Sequence, residues 1–249
     1  MASNMLKLNS NKTELLVIAD KQHLDTFKSA SLDVGGDMIS VSATARNIGV
    51  IFDSTLSMIP HNNNTARSEN YHLRNIGRIR PYLTKHAAEQ LIHSLVTSRL
   101  DFGNSLLVNI PTCHLQKLQT VQNTAARIIT MTRKRDHITP VLYALHWLPI
   151  EARIRYKICL ITFKALRQQC PDYIQSMLKP YVPSRPLRSA SQKLLVIPSS
   201  RTKTYGERAF SVAAPTMWKS LPEYIRQSPS LHVFKSNLKT FLFKQSYRL

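Results

Sequence analysis

Three arginines, Arg67, Arg74 and Arg78, are spaced by seven and then four residues in a stretch that reads as a helix from 61 to 79. At 100° per residue they fall within about 20° of one line, with Tyr71 about 40° from it, while Leu73, Ile76 and Ile79 point the other way. Guanidinium groups fork onto phosphate oxygens, and an aromatic ring beside them stacks on a base or sugar. Such a face suits a sugar-phosphate backbone. The plainer alternative is a solvated face of a basic protein. Only Glu69 relieves the stripe, which favours the phosphate reading.

Further basic residues lie downstream. In the helical segment 149–168, Ile150, Ile154, Ile158 and Ile161 form the packing side, and Arg153, Lys157 and Lys164 run along its flank. Arg133, Lys134 and Arg135 form a loop cluster after the helix 111–131, a pattern shared by nucleic-acid contacts, import signals and solvated loops. Trp147 and Trp218, each beside Leu and Pro, read as core anchors, and His137 and His146 as hydrogen-bonded structural residues.

Other chemistry is missing. Glycines at 35, 36, 49, 77, 103 and 206 are too dispersed for a P-loop or a dinucleotide fingerprint. No two acidic residues are adjacent, whereas nucleotidyl transfer uses metal ions held by carboxylates close together. Asp33, Asp37 and Asp53 read as turn and strand-end residues. Cys113, Cys159 and Cys170 make no C-x-x-C pair, so free thiols in a reducing compartment are expected. Cys113-His114 lacks a second pair at zinc-finger spacing and reads as an ordinary buried thiol.

The chain has 249 residues, 43% of them hydrophobic, and carries 34 Lys+Arg against 14 Asp+Glu for a formal charge of +20. Residues 1–60 hold 5 basic and 6 acidic side chains, residues 61–172 hold 16 and 6, and residues 173–249 hold 13 and 2. The basic surface therefore begins after residue 60, and a polyanion is the expected partner. No apolar run approaches the ~18 residues of a bilayer span, and the N-terminus lacks an apolar signal core. An intracellular protein is expected, nuclear or cytoplasmic, neither secreted nor membrane-bound.

The elements that position these residues follow from periodicity. "TELLVIAD" is a compact apolar run suited to a buried strand, "LDVGGDMISVS" sets Gly35-Gly36 between two strand-like pieces, and "ARNIGVIFD" supplies more strand, together giving a small sheet. After Pro60 the period becomes helical over 61–79, 84–100, 111–131 and 149–168, with Thr84 and Pro149 as N-terminal signals. Residues 180–198 are rich in Pro and Ser and read as a linker with one short strand at 193–197. A last helix buries Leu231, Phe234, Leu238, Phe241 and Leu242 behind Ser230 as N-cap. The fold class is α+β, mostly α.

The blocks "NMLKLNSNKTELLVI", "ARNIGVIFDSTLS", "YHLRNIGRIRPYLT", "SLVTSRLDFGNSLL", "LQKLQTVQNTAARIIT", "DHITPVLYALHWLPIEARIRYKI" and "TYGERAFSVAAPTMWKSLPEYIR" occur in an order that resembles the back half of the reverse transcriptase of LINE-type, non-long-terminal-repeat retrotransposons. The resemblance implies a palm tail over 1–60, a helical thumb over 61–170 and a basic C-terminal region over 171–249. It makes Lys12 similar to the lysine of polymerase motif D, an accessory group that protonates the pyrophosphate leaving group. It also makes Asn47, Ile48, Gly49 and Val50 resemble the primer grip, the hairpin that supports the primer end.

The family's catalytic aspartates would precede residue 1, and Phe102-Gly103 departs from the family's usual residues in its block. The expectation is a truncated fragment that binds an RNA–DNA hybrid or duplex DNA with weak sequence preference and does not polymerise. It needs no cofactor of its own, Mg2+ belonging to the full-length enzyme, and takes no small-molecule substrate. The rival expectations are a partial frame of a full-length RNA-directed DNA polymerase and a helical interaction protein with no nucleic-acid role.

Overall fold

A computed structural model describes residues 9, 12–183, 192–202 and 204–247. Among the described residues the protein is mostly helical with four short strands, the α+β class expected from the sequence. It divides into two compact units, Met1–Asn64 and Thr65–Leu249.

The first unit is built on hairpins. A short helix α1 (Lys21–Leu24) is capped by Asp20, whose carboxylate accepts from the His23 N–H at 3.0 Å. Strand β1 (Ser31–Val34) pairs antiparallel with β2 (Asp37–Ser40) across Gly35 and Gly36. Both glycines have positive φ, 66° and 92°, and the Asp33 carboxylate accepts from the Gly36 N–H at 2.8 Å. Strand β3 (Thr44–Asn47) pairs with β4 (Val50–Asp53) across Ile48 and Gly49, at φ 48° and 82°. Two-residue turns with both residues left-handed match the twist of paired strands.

Two features of this unit differ from the sequence expectation. The strands form two separate two-stranded sheets rather than one small sheet. The apolar run at 15–18 makes no strand. Leu15 forms a single parallel bridge with Val41, and Ile18 is 53% exposed. An apolar run becomes a buried strand only where a neighbour offers a full ladder and a covering layer, and here a single bridge is all it finds.

Asp53 closes β4 and organises the chain beyond it. Its buried carboxylate accepts from the Thr55 hydroxyl at 2.6 Å and from the backbone N–H groups of Ser57 at 3.0 Å and Met58 at 2.8 Å. Helix α2 (Ile59–Ile79) starts immediately afterwards, and the division between the units falls within it.

The second unit contains α3 (Lys85–Ile92), α4 (Ser98–Asp101), α5 (Thr112–Thr130), α6 (Thr139–Ala144), α7 (Ile150–Leu166), α8 (Asp172–Gln175), α9 (Phe210–Lys219), α10 (Glu223–Arg226) and α11 (Leu231–Tyr247). Thr84 caps α3, accepting from the Ala87 N–H at 3.2 Å, and Ser230 caps α11, accepting from Val233 at 3.3 Å. Between α3 and α4 the expected continuous helix widens into a π-helical turn, His93–Thr97.

Helix α7 is the centre of this core and packs against α5, α9 and α11. Ile154, Ile158 and Phe163 are buried along it, and Phe163 stacks on Phe234 of α11 at 4.2 Å between ring centroids. Trp218 is 1% exposed and donates from its indole nitrogen to the Lys193 carbonyl at 2.8 Å. The helices after residue 171 thus share one core with α7. The short strand expected at 193–197 is a single antiparallel bridge between Leu195 and Pro180. Residues 184–191 of the Pro/Ser linker lie outside the described residues, as do residues 4–8, 10 and 11 of the block before Lys12. Among the described residues no helix is long and apolar enough to cross a membrane.

Candidate nucleic-acid interface

Helix α2 carries its charge on one side. Arg67, Tyr71, Arg74 and Arg78 are exposed, while Ala66, Leu73 and Ile76 are buried. Ile79, expected on the packing face, is 46% exposed at the helix end. Arg67 and Arg74 line a groove of about 490 Å³ with Asn70, Leu73 and Thr124, so its walls come from α2 and α5. Gly77 lies against α5, where an added Cβ would stand 3.8 Å from Ile128 Cδ1.

Neighbouring arginines have a different role. Arg80 donates to the carbonyls of Ile128, Ile129 and Leu83 at 2.8, 2.9 and 2.8 Å. Arg127 donates to the carbonyls of Arg133 and Asp136. Arg99 donates to the Ser68 hydroxyl at 3.0 Å, and Arg226, 5% exposed, to the Leu221, Gln192 and Lys219 carbonyls. Arg80, Arg127 and Arg226 satisfy carbonyls that helix ends and loops leave open, and Arg99 is held by a side-chain hydroxyl of α2. Arg67, Arg74 and Arg78 carry no ion pair or side-chain hydrogen bond among the described residues, so their donors face the groove and the solvent.

Glu69 is not part of the exposed stripe. Its side chain is 1% exposed, neither carboxylate oxygen has a hydrogen-bond partner among the described residues, and Arg99 Nη1 stands 3.8 Å away. Burial pushes its pKa up to about 7, against the opposing pull of Arg99. Its spacing already carried the signal: two residues after Arg67 is about 200° around a helix, the side of Leu73 and Ile76.

The remaining sequence candidates are distributed as follows. Arg133, Lys134 and Arg135 are exposed in the loop after α5, with the Arg133 N–H on the Asp136 carboxylate at 3.1 Å. Arg153 is held inside: its Nη1 pairs with Asp101 at 2.9 and 3.1 Å, its Nε donates to the Leu148 carbonyl at 2.9 Å, and its guanidinium lies 5.9 Å from the Trp147 ring centre. Lys157 is exposed one turn further along α7, and Lys164 is half-buried.

In the first unit Lys12 is exposed in a 3-10 turn, its N–H donating to the Asn9 carbonyl at 3.0 Å. Asn47, Ile48, Gly49 and Val50 form the tip of the β3–β4 hairpin, with Ile48 83% exposed and Val50 buried at 6%.

Other expectations divide. Trp147 is buried at 7%, but Cys113, expected to be buried, is exposed, because the first turn of α5 points away from the core. Cys159 is the buried thiol, and burial pushes its pKa up to about 12. His146 stacks on Phe243 at 5.7 Å and His137 is exposed. Among the described residues no three His, Cys, Asp or Glu side chains form a group that could hold a metal ion.

Comparison with protein-family models, with curated proteins and with solved structures returns no significant match.

Proposed function

We propose that this chain binds nucleic acid through its sugar-phosphate backbone, using the Arg67, Arg74 and Arg78 face of α2 and the groove beside α5. One observation carries the reading: among the described residues these three guanidiniums are uncommitted, while the arginines around them are tied to backbone carbonyls or to other side chains. A formal charge of +20 supplies long-range attraction to a polyanion. Backbone contacts position a strand without reading its sequence, so weak sequence preference follows. The family resemblance gives the same role a context, the thumb of a retrotransposon reverse transcriptase, whose helices hold a template–primer duplex.

The test is fluorescence anisotropy of a labelled RNA–DNA hybrid and of duplex DNA, titrated with protein over a range of salt. Replacing all three arginines by Gln should reduce the slope of log affinity against log salt by about 3, since each phosphate contact contributes ~0.9. An unchanged slope and affinity in the triple variant would remove this face from the interaction and leave the helical interaction protein as the better reading.

A further inference from the structure

A second cavity lies in the same unit and shares no lining residue with the α2–α5 groove. It holds about 540 Å³, within the range of small-molecule sites, and it is walled by the π-helical turn, the segment before α7, α7 itself and α11. Segments of π-helix that interrupt α-helices are frequent at functional sites, and here His93 and Thr97 of that turn both line the cavity.

Its polar groups are fixed and incompletely used. Arg153 is locked by Asp101, by the Leu148 carbonyl and by the Trp147 ring, which leaves its Nη2 edge uncommitted among the described residues. Asp101 is neutralised by that pair, so Lys157 and Lys239 give the cavity a net positive charge. Asn104 lines the same space at 4% exposure. Its amide nitrogen is turned toward Asp101 Oδ1 at 3.5 Å, and its buried Oδ1 has no partner among the described residues. Flipping the amide would set oxygen against the Asp101 carboxylate, so the open position is an acceptor. A buried acceptor without a donor is costly, and because this oxygen is closed off from solvent, a ligand N–H or O–H in the cavity meets it once the Asn104 side chain turns outward.

We propose that this cavity binds a nucleotide. The phosphate would lie between Lys157, Lys239 and the free edge of Arg153, and a base amino group or ribose hydroxyl would donate to Asn104 Oδ1. A bare anion satisfies the cations but not Asn104, and a neutral ligand the reverse; a nucleotide carries both groups on one small frame. The expectation from the sequence was that no small-molecule substrate is taken; Lys239 is 82 residues from Lys157, and only the packing of α11 on α7 brings them to one cavity. The nucleotide is either free or the 5′-phosphorylated end of a strand, and the proposal does not depend on the α2 face.

Isothermal titration of the full chain with each nucleoside monophosphate and with inorganic phosphate provides the test. The expected result is saturable binding of at least one monophosphate, at least tenfold tighter than phosphate. The Lys157→Gln/Lys239→Gln variant, which changes exposed side chains, should weaken it at least tenfold. The variant lacking Arg67, Arg74 and Arg78 should keep it. No monophosphate binding, equal binding of phosphate, or an unaffected lysine variant would each overturn the assignment. Loss of binding in the α2 variant would overturn it too, by placing the nucleotide on the other face. A 5′-phosphorylated oligonucleotide competing for the site better than its unphosphorylated form identifies a strand end as the source; monophosphate binding without such competition identifies the free nucleotide.

Discussion

Glu69 and Arg99 face each other across 3.8 Å, the carboxylate closed off from water and the guanidinium half in it. At that distance and with no hydrogen bond to either carboxylate oxygen among the described residues, the pair does not offset the desolvation of Glu69, and the acid holds its proton up to about pH 7.

The sign of the resulting pH dependence follows. The unfolded carboxyl titrates near 4.5 and the folded one near 7, so the folded state binds more protons between those values. Stability from this site is therefore complete below about pH 4.5 and declines as pH rises through 7, by up to on the order of 3 kcal/mol. Glu69→Gln should remove that slope and raise the melting temperature at pH 8 relative to the parent, read by thermal unfolding at a series of pH values. A parent and variant with parallel profiles would show Glu69 to be ionised in the fold.

Asp53 should act in the opposite direction. Burial raises its pKa, but hydrogen bonds from Thr55, Ser57 and Met58 outweigh that and hold it below the ordinary carboxylate value. Its contribution is present above the unfolded pKa and is lost as pH falls through the folded one. Asp53→Ala should cost about 2 kcal/mol at pH 7 and open the chain around Thr55 and Met58, which amide hydrogen exchange would register as lost protection at Ser57 and Met58.

Arg80, next to the end of α2, holds α5 through the Ile128 and Ile129 carbonyls and also donates to the Leu83 carbonyl. Arg80→Met keeps the stem and removes the donors, leaving the last carbonyls of α5 unsatisfied. A loss of about 3 kcal/mol in denaturant unfolding is expected, with nucleic-acid affinity of the folded fraction unchanged. Arg74→Met should show the reverse, near-parental stability and weaker binding.

Phe234 is fully buried, stacked on Phe163 and 5.8 Å from Trp218. Phe234→Ala should destabilise by about 3 to 5 kcal/mol, whereas Phe102→Ala, at a position 51% exposed, should cost less than about 1 kcal/mol. Urea unfolding followed by tryptophan fluorescence distinguishes them, because Trp218 reports on the same cluster.

Local structure could be read from residue order alone wherever local physics decides. Left-handed two-residue turns at Gly35-Gly36 and Ile48-Gly49 produced the hairpins, and 3.6-residue periodicity with Thr84 and Ser230 as caps produced the helices. The arginine line on α2 was legible for the same reason, since residues on one helix face are fixed by their spacing alone.

Which charges remain available was settled by how the helices pack. Arg153 and Arg74 both sit on amphipathic helices, yet one is consumed by Asp101, 52 residues away, and the other is left open beside Thr124. The run at 15–18 failed to become a strand because pairing needs a partner that no local pattern supplies. Desolvation and hydrogen-bond satisfaction depend on every element that converges on a site, so the buried state of Glu69, the open acceptor of Asn104 and the meeting of Lys157 with Lys239 belong to the packed molecule.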